Sequence, residues 1–308
     1  MAMKSSRKQW RNLALAALCA AAIPFLIPPA AAQENETTPA TEGQRKTEPE
    51  MRSGPSLEAA FNHMYRLKFA EAHSEISAYQ NLHPNDALGK AAEAAAYLFE
   101  EFEQKGVLTS AFFLDDKRFL GGVEGSPESN RNAKFLEANR QARDLAQGRL
   151  RNYARDPDSL LVLAMADGME SNYDAMIEKK QLASLSMLKQ ADAEATKVLS
   201  IDAKAQDAYV SLGSANYIIG SLPGYKKAFL WFGGVHGDKV RGMEELQSAA
   251  SGGHFLRPFA KIMLALAHER EHQYKEAAVL LAELHKEFPE NPHFKAEMEI
   301  AEKAAGGK

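Results

Sequence analysis

From Ser56 to the end of the chain, apolar residues recur at intervals of three and four, as in Leu57, Ala60, Phe61 and Met64. That spacing lays a single apolar stripe along an α-helix. No stretch alternates apolar and polar positions in the manner of a half-buried strand. Polar caps followed by proline mark helix starts at Ser126-Pro127, Asp156-Pro157 and Asn291-Pro292. Breaks are expected at Gly121-Gly122, from Gly220 to Gly224, at Gly233-Gly234 and at Gly252-Gly253. The pattern predicts about a dozen helices, most of them within the ordinary length range. The expected fold class is all-α over residues 56–305.

The N-terminus follows another pattern. Residues 1–12 are polar and basic, and residues 13–27 are almost all apolar. Pro28, Pro29 and Ala30-Ala31-Ala32 follow. A basic region, a short apolar run and small residues at its end compose a secretory signal peptide, with cleavage expected after Ala32. An uncleaved membrane anchor is the alternative. The alanine-rich signal looks bacterial, so the expected location is the periplasm or the exterior. Cys19 is the single cysteine, and the large Leu18 before it does not suit lipid attachment. Cleavage would leave no thiol for disulfides, catalysis or metal ligation. Residues 33–55 hold three prolines, two glycines and many charges. Such a segment buries too little apolar surface to offset its ordering entropy and is expected to be a linker.

Charge narrows the class of partner. The chain carries 37 Lys+Arg against 41 Asp+Glu, a net −4. Residues 1–32 contribute four of those bases and no acid, so the remainder is more acidic still. A nucleic-acid partner, which requires a basic surface, is not expected.

An all-helical chain of 308 residues calls for a repeat search. In residues 258–291, Leu264-Ala265, His268, Ala277 and Leu281 fall on positions of a 34-residue helix-hairpin pattern, and Pro289 ends the unit. Residues 53–86 match through Ala60, Ala72, Ile76 and Pro84. Residues 206–239 match through Tyr209, Leu212-Gly213 and Tyr217, and Pro223-Gly224 interrupts the second half. Ala191, Ala195 and Val198 form one further second-helix pattern. On these residues the chain resembles the tetratricopeptide-repeat (TPR) superfamily over about residues 56–305. The resemblance implies a right-handed superhelix of antiparallel helix pairs. The run from Pro223 through Gly237-Asp238, Arg241-Gly242 and Leu246, and then Arg257 to His268, is similar to the tetratricopeptide-repeat protein 39 family. Lys239 stands where that family's motif has arginine. This second resemblance bears on fold and not on cellular role.

In such a repeat, the first helix of each pair lines a concave face. The inward positions here are Phe61 and Met64, then Val210, Ser214 and Tyr217, then Phe259, Ile262, Leu266 and Glu269. Most are apolar, which suits a partner's amphipathic helix or an acyl chain. Packing against neighbouring helices is the structural alternative. The aromatic group Phe229, Trp231 and Phe232, between two glycine breaks, is expected to pack in a core, with an exposed binding wedge or membrane-dipping tip as the alternative.

Residues 268–272 read His-Glu-Arg-Glu-His. On one helical face, His268 and His272 would bind zinc, and Glu269 would activate water. Several features oppose that reading. His272 falls at the expected turn, Arg270 and Glu271 put charges between the histidines, and only Glu290 and Glu297 offer a distant third ligand. Nothing resembles a phosphate loop or a nucleophile elbow, so no cofactor is expected. The leading expectation is an exported, non-catalytic scaffold that binds a protein or peptide in a concave groove. A carrier of lipid or another apolar ligand is the alternative and requires a closed pocket. A zinc hydrolase ranks last.

Overall fold

A computed structural model describes residues 55–307 except 223, 225, 226, 228, 229, 232 and 233. The expected signal peptide, Cys19 and almost all of the expected linker lie outside the described residues, as do Phe229 and Phe232. The described residues form thirteen α-helices and one short 3-10 turn, with no strand. None of these helices is long and apolar enough to cross a membrane.

The helices are α1 (Leu57–Tyr65), α2 (Phe69–Leu82), α3 (Ala87–Gln104), α4 (Ser110–Leu114), α5 (Asp116–Gly121), α6 (Ser129–Leu150) and α7 (Pro157–Met176). They continue with α8 (Gln181–Ile201), α9 (Tyr209–Ser221), α10 (Lys239–Gly252), α11 (Arg257–Arg270), α12 (Tyr274–Glu287) and α13 (Pro292–Gly306). Asp156 and Asn291 cap α7 and α13 through their side chains, with proline in the first turn. Ser126-Pro127 does not start a helix. α6 begins at Ser129, where Glu128 accepts from the N–H groups of Asn130 and Arg131. The Glu128 carboxylate reaches two free donors at once, and its charge suits the positive end of the helix.

Five pairs form in chain order: α1 with α2, α3 with α6, α7 with α8, α9 with α10, and α11 with α12. The second helix of each pair also touches the first helix of the next, and α13 packs on α12. The first helices touch one another in succession, through α1, α3, α7, α9 and α11. Alanines permit the approach. Ala91, Ala92, Ala94, Ala95 and Ala96 of α3 are all buried, and α1, α6 and α7 pack around that helix.

Three of the turns share one design. Leu67, Lys179 and His272 have φ of 58°, 58° and 59°, each lying between the two helices of a pair. After α1 the N–H of Lys68 donates to His63 O, and after α11 the N–H of Gln273 donates to His268 O, each at the spacing of a Schellman cap. The turns at Leu67 and His272 reverse the chain in three residues, and the turn at Lys179 takes four.

The helix-breaking stretches become insertions inside pairs. Residues 105–128 leave α3, form α4 and α5, and return to α6. They are pinned to the end of α7 by the N–H of Val123, which donates to Met176 O at 2.8 Å. Residues 222–238 similarly separate α9 from α10. There the family-like run has a steric reason. Asp238 caps α10 through its side chain. A Cβ on Gly242 would lie 2.4 Å from the Tyr217 nitrogen, so only hydrogen fits where α10 crosses α9. The expectation that Trp231 packs in the core fails, because it is 61% exposed.

Candidate functional site

The two ends of the helical series meet. The Tyr65 hydroxyl on α1 donates to Phe255 O at 2.9 Å, and the Asn291 side chain donates to Tyr65 O at the same distance. The Phe61 ring lies 5.2 Å from that of Phe255, and Tyr65 lies 5.4 Å from Phe288. The insertion closes the opposite flank of this seam. Arg270 of α11 donates to Phe113 O at 2.8 Å, and Glu297 of α13 accepts from the Ser110 N–H at 3.1 Å. The Ser110 hydroxyl also donates to Glu297. His293 of α13 lies 2.9 Å from a carboxylate oxygen of Glu103, on α3.

The first helices, α8, the insertion and α13 together surround a cavity of about 580 Å³. That size suits a small organic molecule. Phe61, Met64, Val210, Ser214, Phe259, Ile262, Leu266 and Glu269 all line it. Residues separated by some two hundred positions thus share one wall. Tyr217 does not join them. Its hydroxyl turns the other way and donates to Ala267 O at 3.1 Å, beside a minor cavity of about 40 Å³.

Sequence reasoning missed several lining residues. Phe99, Phe113 and Phe119 come from α3 and the insertion, and Met165, Met169 and Met176 come from α7. The three methionines are spaced four and seven apart, a helical stripe that the sequence displays. The insertion's role was not visible, because it depends on where α4 comes to rest.

The wall is mostly apolar, with polar side chains at the seam and Ser171, Asn172, Ser184, Ser211 and Ser214 elsewhere on it. Its ionisable members are Tyr65, Glu269, His293 and Glu297, and no lysine or arginine lines it among the described residues. Glu297 has Ser110 as a partner and His293 has Glu103, but Glu269 has none. Glu269 is 4% exposed, and both of its carboxylate oxygens are buried without a hydrogen bond. Its pKa is pushed up to about 7, first by burial and then by the charge of Glu297. The Ser214 hydroxyl is also buried and unpartnered on the same wall.

The zinc motif does not assemble. α11 ends at Arg270, and His272 lies beyond it in the left-handed turn. Its Nδ1 lies 2.8 Å from the Tyr274 hydroxyl, whereas His268 Nδ1 lies 2.7 Å from Gln273. The two rings therefore do not share a helical face. Glu269, which should activate the zinc-bound water, faces the cavity instead. No group of three or more metal-ligating side chains occurs among the described residues.

No protein-family model matches the chain, and no curated protein sequence matches it significantly.

Proposed function

We propose that residues 56–305 are a TPR-like repeat, a right-handed superhelix of antiparallel helix pairs drawn closed on itself. Its function in this reading is to hold an apolar or amphiphilic small molecule without covalent chemistry. One observation carries the proposal: the inner faces of the first helices surround an apolar cavity of about 580 Å³. The open groove of a peptide-binding scaffold fits less well, because the first and last pairs touch across the place where a peptide would enter. Combined with the export signal read from residues 1–32, the proposal describes a periplasmic or secreted carrier.

An uncharged fluorescent probe such as N-phenyl-1-naphthylamine tests it. The expected result is saturable binding at one probe per chain. Gly168 faces the cavity, and an added Cβ there would meet nothing within 4 Å. Gly168→Leu should therefore fill space and block the probe while leaving the helical circular-dichroism signal intact. Unsaturable binding, or binding indifferent to Gly168→Leu, overturns the proposal. A co-purifying protein whose binding excludes the probe would favour the scaffold.

A further inference from the structure

The cavity reading leaves unsaid which end of a ligand goes where, and Glu269 answers that. A carboxyl group buried without any hydrogen bond sacrifices its interactions with water and receives nothing in return. Among the buried carboxylates, Asp207 accepts from the N–H groups of His254, Phe255 and Leu256, and Glu245 accepts from Asn216 and Arg241. Glu269 differs from them in having both oxygens free and facing the cavity. Its stripe on α11 is otherwise Phe259, Ile262 and Leu266, so the carboxyl group lies at the end of an apolar track.

The neighbouring charge fixes the sign of what would satisfy it. Glu297, held by Ser110, is the charged group that acts on Glu269. The described lining offers no lysine or arginine to hold a carboxylate, sulfate or phosphate head. An anionic head there would be repelled by two acids in a medium of low dielectric constant. A protonated amine would find two acceptors.

Resting on the cavity reading, we propose that Glu269 is the head-group anchor of the site and that its ligand is a cationic amphiphile. The ligand's ammonium would donate to Glu269, with Glu297 as the second acceptor, and its hydrocarbon would run along Leu266, Ile262 and Phe259. Elevation of the Glu269 pKa agrees with this, since an acid that lacks a counter-charge holds its proton until a cation arrives.

Three probes of equal chain length separate the claims: decylammonium, 1-decanol and decanoate. Each is titrated calorimetrically into the purified protein at pH 8, below its own aggregation concentration. The expected order is decylammonium at least about tenfold tighter than decanol, since a charge-assisted hydrogen bond is worth more than a neutral one. Decanoate should be the weakest. Glu269→Gln should erase the preference for ammonium over decanol. Equal affinity for decylammonium and decanol in the unaltered protein overturns the proposal while the cavity reading stands. A preference that survives Glu269→Gln does the same. Failure of all three probes to bind overturns both. The comparison of probes needs no variant to fold, so it decides the matter alone.

Discussion

The hydroxyl of Tyr65, in the first helix, donates at 2.9 Å to the carbonyl oxygen of Phe255, a residue 190 positions further along the sequence. That bond joins the start of the helical series to the turn before α11. Phe255 is itself held in place, because its N–H and those of His254 and Leu256 all donate to the Asp207 carboxylate. In a simple stack each unit touches only its neighbours. Here the ends touch as well, and the inner face becomes the wall of a cavity.

Removing the hydroxyl should weaken that closure. Tyr65→Phe leaves the partly buried Phe255 carbonyl without its partner, a loss of about 1–2 kcal/mol. Asn291→Ala removes both the cap of α13 and the bond to Tyr65 O and should cost about 1–3 kcal/mol. Both act on one seam, so the double variant should deviate from additivity by at least about 0.5 kcal/mol. Urea unfolding of the four proteins provides the check, and strict additivity would show that the two bonds do not cooperate.

Two glycine-to-alanine changes should have opposite signs. At Gly242 the new methyl would meet the Tyr217 backbone at 2.4 Å, which forces α9 and α10 apart. The expected loss is about 1–3 kcal/mol. At Gly168, in the middle of α7, nothing lies within 4 Å, and alanine should stabilise by about 0.5–1 kcal/mol. Thermal unfolding of both variants tests this. A loss at Gly168 would mean the cavity wall is tighter than its geometry indicates.

The pH dependence of stability should carry the signature of Glu269. Its folded pKa is raised from 4.5 to about 7, so between those values the folded state holds more protons than the unfolded state. Stability therefore falls as pH rises from 4.5 to 7, and the full penalty is present above 7. That penalty is about 3 kcal/mol. Asp167 adds to it with the same sign. Burial lifts its pKa to about 6 even though Arg143 stands 2.7 Å away. Glu269→Gln should leave stability at pH 4 nearly unchanged and raise it at pH 8, and unfolding curves at the two pH values would reveal it. Equal effects at both would mean that the carboxyl group is solvated.

His272 should be dispensable, and even unfavourable. Its φ of 59° places a residue bearing a Cβ in the left-handed region that glycine occupies freely. His272→Gly is expected to stabilise the protein by about 0.5–1 kcal/mol. Differential scanning calorimetry with and without zinc checks both points. A zinc-dependent rise in melting temperature that disappears in the variant would restore the metal reading.

The sequence alone determined the helices and much of their inner face. Spacings of three and four placed the apolar stripes, and Asp156-Pro157 and Asn291-Pro292 fixed two helix starts. Leu67 and His272, each between two paired helices, adopt nearly the same φ. These features are local, and their energetics act within a few residues. The inner stripe of α11, including Glu269, was legible for the same reason. Only the tertiary structure decided that the two ends meet, that Ser110 reaches Glu297 from an insertion, and that Tyr217 faces away from the cavity. The meeting of the two ends rests on contacts between residues some two hundred positions apart, which no short-range pattern encodes. The folded chain leaves Glu269, an acid in a charged pentapeptide, buried and unpartnered.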